Sequence, residues 1–90
     1  MPSIIRIGEF TIYFWSNEND EPVHVHISKR KPTPNATKVW ITSTGGVLLE
    51  HNKSRIPASK LNSLLRIIEG NREMLVLSWY NHFGYTKFIV

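Results

Sequence analysis

Ninety residues with no cysteine leave room for one modest core, and they exclude a disulfide framework, a thiolate metal site and a thiol nucleophile. No run approaches the roughly 20 apolar residues that cross a bilayer, and Met1-Pro2-Ser3-Ile4-Ile5-Arg6 lacks the apolar stretch of a signal peptide. The expectation is a single domain over residues 1–90, soluble, cytoplasmic and free of membrane contact. The net charge of +4 is uneven: an acidic turn at Glu18, Asp20 and Glu21 precedes Lys29-Arg30-Lys31, Lys38, Lys53, Arg55, Lys60, Arg66 and Arg72. That balance suits an acidic partner, whether RNA, DNA or a protein, and it equally suits an ordinary solvated surface.

Three runs of alternating character come first, Ile4 to Ile7, Glu9 to Trp15 and Val23 to Ile27, broken by Gly8 and by the polar stretch Ser16 to Glu21. They predict antiparallel strands. In the second run Phe10, Ile12 and Phe14 share one face while Thr11, Tyr13 and Trp15 share the other, so this strand should be central and covered on both sides. Lys29 to Ala36 holds Pro32, Pro34 and Asn35 in a basic stretch; proline donates nothing to a sheet ladder, which predicts a mobile loop. Lys38 to Thr42, the turn Thr44-Gly45-Gly46 and Val47 to Glu50 predict a closing strand pair.

Helical spacing then takes over. Pro57 suits a first helical turn, and Leu61, Leu64, Leu65 and Ile68 repeat at i, i+3, i+4 and i+7 as far as Gly70. Asn71 is placed to cap a second helix, whose apolar residues Met74, Leu75, Leu77, Trp79, Tyr80 and Phe83 nearly encircle it and predict burial on more than one side. Gly84 ends that helix, and Lys87-Phe88-Ile89-Val90 should pair as an edge strand or await another chain. The predicted fold is α+β: an antiparallel sheet of four or five strands with two C-terminal helices packed on one face.

The most informative segment is Pro22-Val23-His24-Val25-His26-Ile27. Strand side chains alternate faces, so if Val23, Val25 and Ile27 enter the core, His24 and His26 project together on the other side. There they could share a proton, a metal or a phosphate. Two imidazoles at this spacing suit zinc or another divalent ion, but catalytic zinc normally takes three protein ligands, and the third would have to be Asp20, Glu21 or His51. The competing explanation packs one histidine against Tyr13 or Trp15 and hydrogen-bonds the other to a carboxylate. A metal-free site is the alternative chemistry: histidine as general acid or base, with Arg6, Arg30 or Arg55 stabilising charge on a phosphorane-like transition state. Tyr13, Trp15 and Trp40 could stack on bases, although in so small a domain such residues more often anchor a core.

Met1-Pro2-Ser3-Ile4 leading to Gly8-x-x-x-Ile12-Tyr13-Phe14, and then Pro22-Val23-His24-Val25-His26, resembles the opening of the small bacterial proteins of domain-of-unknown-function family 4160, whose matching segment reads Pro-Pro-His-Phe-His. The resemblance continues through Ile56-Pro57 and through Asn71-Arg72-Glu73-Met74-Leu75 to Trp79. Two departures matter. Members commonly carry a further histidine and an asparagine before the prolines, where this chain has Asp20 and Glu21, so a three-histidine site is not available; the Lys29 to Ala36 loop also looks longer than usual.

The resemblance implies a toxin-like half of a two-gene module, with a protein of the uncharacterised family 2442 as antitoxin. The functional expectation is therefore a toxin-like protein acting as a metal-independent ribonuclease. His24 and His26 would be catalytic, supported by Arg6, Tyr13 and Arg30, with no cofactor and a divalent metal at His24 and His26 as the minor alternative. Its partners would be a small acidic antitoxin-like protein and RNA, with a homo-oligomer left open. The contrasting expectation is a non-enzymatic interaction module with structural histidines.

Overall fold

In the computed structural model, which describes residues 3–18 and 20–90, the alternating first half of the chain forms five strands. They are β1 (Ser3–Ile7), β2 (Phe10–Tyr13), β3 (His24–Lys29), β4 (Thr37–Ile41) and β5 (Val47–His51), followed by α1 (Ala58–Gly70) and α2 (Arg72–Phe83). The strands make one antiparallel sheet in chain order, β1-β2-β3-β4-β5, so each strand pairs with its sequence neighbour and only short turns are needed. The α+β expectation holds. β3 occupies the centre, with β2 beside it, and Gly8 at φ +57 makes the tight turn between β1 and β2.

Period-two alternation sends Phe10, Ile12, Val25, Ile27, Val39 and Ile41 into one core with Leu61, Leu64 and Ile68 of α1 and Leu75 and Trp79 of α2. Each such side chain, once buried, contributes roughly 1.5–3 kcal/mol relative to exposure. β2 is covered on both faces as its composition predicts, since Thr11 and Tyr13 are as buried as Phe10 and Ile12.

The helices depart from expectation at two points. Asn71 does not cap α2 with its side chain; its amide donates back to the Ile67 carbonyl at 2.8 Å and so finishes α1, which runs through Gly70. Nor is α2 enclosed. Leu75 and Trp79, four residues apart, face the core, whereas Met74, Leu77 and Tyr80 are exposed, because one sheet can cover only one stripe of a helix.

The C-terminal residues after Gly84 do not form a regular strand. The Val23 N–H donates to the Lys87 carbonyl at 2.8 Å and the Ser43 N–H to the Val90 carbonyl at 2.9 Å, which lays the tail across the start of β3 and the end of β4. The loop between β3 and β4 is likewise tied down. The Tyr13 hydroxyl bonds Thr33, the Ser54 hydroxyl donates to the Asn35 carbonyl at 3.0 Å, and Ala36 is buried.

Candidate functional site

Directly paired residues on neighbouring strands share a face. Tyr13 pairs with His26, His26 with Lys38 and Lys38 with His51, so a phenol, an imidazole, an ammonium and a second imidazole form one row across β2, β3, β4 and β5. His24, paired with Trp40, stands beside that row on the same face. The predicted projection of His24 and His26 to one side, away from Val25 and Ile27, is what the register produces.

What joins the two imidazoles is Glu18. β2 ends at Tyr13, and the chain through Ser16 and Asn17 turns back over the sheet. There Glu18 Oε2 lies 2.8 Å from His24 Nε2 and 2.8 Å from His26 Nε2, while Glu18 Oε1 accepts the Trp15 N–H at 2.7 Å. Two further bonds brace this loop: the Tyr85 hydroxyl donates to the Glu21 carbonyl and His82 Nε2 donates to the Ser16 carbonyl. The side chains of His24, His26 and Glu18 are 0%, 11% and 12% exposed.

An aromatic wall surrounds the cluster. The His24 and His26 rings are nearly perpendicular at 5.0 Å; Trp40 and Trp79 flank His24 at 5.4 and 5.1 Å, and Tyr13 lies 5.5 Å from His26. Trp79 reaches this point because β2 has already left the ladder, and the same indole packs on Phe14 at 5.1 Å. The Tyr13 contact of His26 is the packing foreseen for one histidine; the flanking of His24 by Trp40 and Trp79 was not foreseen, and both rings, not one, meet the carboxylate.

Burial by itself would raise the Glu18 carboxyl. The hydrogen bonds from His24 and His26, the charge of His24 and the Trp15 N–H outweigh burial and hold it at about 2, so Glu18 is an anion at any ordinary pH. The nitrogen on the far side of His24, Nδ1, lies 2.9 Å from the Pro22 carbonyl oxygen. A carbonyl only accepts, so Nδ1 carries a proton and Nε2 is the nitrogen turned to Glu18.

Among the residues singled out from the sequence, the structure brings together His24, His26 and Tyr13. Tyr13 is fully buried and shares a 3.0 Å hydrogen bond with Ser28; burial raises its pKa against the lowering effect of the Ser28 and Thr33 bonds. Arg6 is exposed on edge strand β1 opposite Thr11, in the next cross-strand row. Arg30 is exposed at the end of β3 with φ +67, its carbonyl accepting the Thr11 hydroxyl. Among the described residues, no hydrogen bond or ion pair joins either guanidinium to the cluster.

The third group is also not Asp20, Glu21 or His51. Asp20 is exposed in a left-handed turn, and Glu21 pairs with Lys38 at 3.0 Å. His51 occupies the far end of the row with its Nδ1 buried and, among the described residues, unpartnered, its pKa lowered by burial and by Lys53 and Lys38 against Glu50. Glu18 was visible in the sequence as part of the acidic turn, but only the fold of that turn selects it over its neighbours. Lys38, under an ion pair with Glu21 and 4.3 Å from the Trp40 ring centre, was likewise legible only as one of several basic residues.

No match was found among curated proteins or among solved structures. One family does match, over residues 9–80, a span that takes in the whole cluster, the cross-strand row and nearly all of both helices. The chain belongs to the family described as Domain of unknown function (DUF4160).

Proposed function

We propose that this domain is the toxin-like half of a bacterial two-gene module, that it acts on RNA at the polar face of its sheet, and that a small acidic protein neutralises it. The observation that carries this reading is the row Tyr13, His26, Lys38 and His51, which sets an ammonium between two imidazoles. RNA supplies its own nucleophile: the 2′-oxygen forms a bond to phosphorus while the bond to the 5′-oxygen breaks, one proton leaving the 2′-hydroxyl and one reaching the departing oxygen. The protein has to neutralise phosphoryl charge and move two protons. Lys38 suits the first task and imidazoles the second.

In this reading His24, which is fully buried, does not touch substrate; it is a positioning residue that holds Glu18 and through it His26. Arg6 and Arg30 serve at most to attract the polyanion. The net charge of +4 supports both RNA and an acidic protein as partners. The test is cleavage of an end-labelled RNA by purified protein, with Lys38→Ala and His51→Gln beside it. Loss of cleavage in both variants at an unchanged thermal midpoint is expected; an inert wild-type protein that is folded and pure overturns the reading.

The exposed Met74, Leu77 and Tyr80 on α2 favour a second reading, an interaction module in which the histidine cluster only fastens the β2–β3 loop. Under it, Leu77→Asp weakens capture of the acidic partner while Lys38→Ala and His51→Gln leave capture unchanged.

A further inference from the structure

We propose that Glu18, His24 and His26 are the protein ligands of one divalent transition-metal ion of the zinc class. The proposal rests on the cluster alone and does not depend on the RNA reading.

The first argument is convergence. Glu18 Oε2, His24 Nε2 and His26 Nε2 all lie within 4.8 Å of one another, come from two backbone segments, and meet beside the rings of Tyr13, Trp40 and Trp79. Two imidazoles and one carboxylate are the donor set of three-ligand catalytic zinc sites and of open iron(II) sites, both of which keep at least one position for water or substrate. Magnesium and calcium, which want six or more oxygens, do not suit it.

The second argument is the tautomer. Because the His24 Nδ1–H donates to the Pro22 carbonyl, Nε2 is the nitrogen that faces the anionic carboxylate at 2.8 Å, and in a neutral ring it would turn its lone pair there. Two electron pairs would then face each other, and something positive must stand between them: a second ring proton or a metal ion. A backbone carbonyl behind Nδ1 is the outer partner that ligating histidines characteristically have, and Glu18 has one too in the Trp15 N–H. Both ligands are thus oriented from behind, as a metal site needs and a plain hydrogen bond does not.

The third argument is distance. Bonds of about 2.0–2.1 Å at tetrahedral angles hold ligand atoms about 3.3 Å apart. From the present 2.8 Å separations, the Glu18 carboxylate has to withdraw from each imidazole by about half an ångström, while the two Nε2 atoms, within 4.8 Å of each other, settle to the same spacing. With the ion bound, His26 is a ligand and cannot also carry a proton, so of the two imidazoles in the cross-strand row only His51 keeps that role.

The competing account is a hydrogen-bonded knot in which His24 is an imidazolium and no metal binds. Untagged, chelator-stripped protein titrated calorimetrically with Zn2+, and separately with Co2+ followed by visible absorption, separates the two. The expected result is one equivalent per chain, intensified cobalt bands of a low-coordinate site, and a rise in thermal midpoint with zinc. Affinity should fall about tenfold or more in Glu18→Gln and in His26→Gln, and should be unchanged in His51→Gln. Absence of stoichiometric binding by the folded wild-type protein overturns the proposal, as does binding that survives both ligand substitutions. Should Glu18→Gln fail to fold, His26→Gln, at the more exposed of the two histidines, together with the wild-type stoichiometry still decides. All of these readouts are taken without RNA, so failure of the RNA reading leaves them intact.

Discussion

Glu18 is the residue whose replacement most directly tests how the β2–β3 loop is held. Its carboxyl sits at about 2 in the fold against an ordinary value of 4.5, and a depressed acid stabilises the fold above its unfolded value and loses that contribution as pH falls through the folded one. The difference corresponds to about 3 kcal/mol at neutral pH. About two-fifths of that should persist at pH 3 and about one-eighth at pH 2. Glu18→Gln keeps the shape and removes the titration. In the presence of a chelator, urea unfolding of both proteins across this range should show a stability gap that is full at pH 7 and closes steadily below about pH 4.5. A gap that stays constant from pH 7 to pH 3 would refute the claim that the anionic carboxylate, rather than packing, secures the loop.

Three further outcomes follow from named contacts. Trp79→Ala removes a fully buried indole that touches both Phe14 and His24, so it should cost about 3–5 kcal/mol and abolish most near-ultraviolet circular dichroism; a loss below 1 kcal/mol would show that α2 does not anchor the core there. Tyr13→Phe deletes the bonds to Ser28 and Thr33 while keeping the ring, and should lower stability by about 1 kcal/mol with secondary structure unchanged; an unaltered urea midpoint would remove the phenol from the account of how the β3–β4 loop is fixed. By NMR, His51 should titrate below the ordinary imidazole value of 6.5, and a midpoint above it would contradict the placement of its ring, partly buried, in the field of Lys38 and Lys53.

Much of the fold is local in origin and was legible as such. Alternation in Glu9 to Trp15 and Val23 to Ile27 decides strand and face, because a strand has period two, and the spacing of Leu61, Leu64 and Ile68 decides α1, because a helix repeats every 3.6 residues. The pairing of His24 with His26 on one face follows from the same rule. Where reading failed, the cause was competition between local and tertiary demands. Asn71 looks like a cap, but its amide is drawn back to the end of α1; the apolar ring of α2 looks buried, but a single sheet offers only one surface.

The sequence by itself therefore determined an antiparallel sheet of four or five strands followed by two helices, the side-chain alternation of Glu9 to Trp15 and Val23 to Ile27, and the two histidines that point together. Only the tertiary structure decided that Glu18, and not Asp20, Glu21 or His51, joins them, and that Lys38 and His51 extend their row while Arg6 and Arg30 stand apart. The physical reason is that strand alternation is set by bond geometry within a few residues. The partner of a buried imidazole is chosen by where a loop closes and by strand register, and both depend on contacts far apart in the chain.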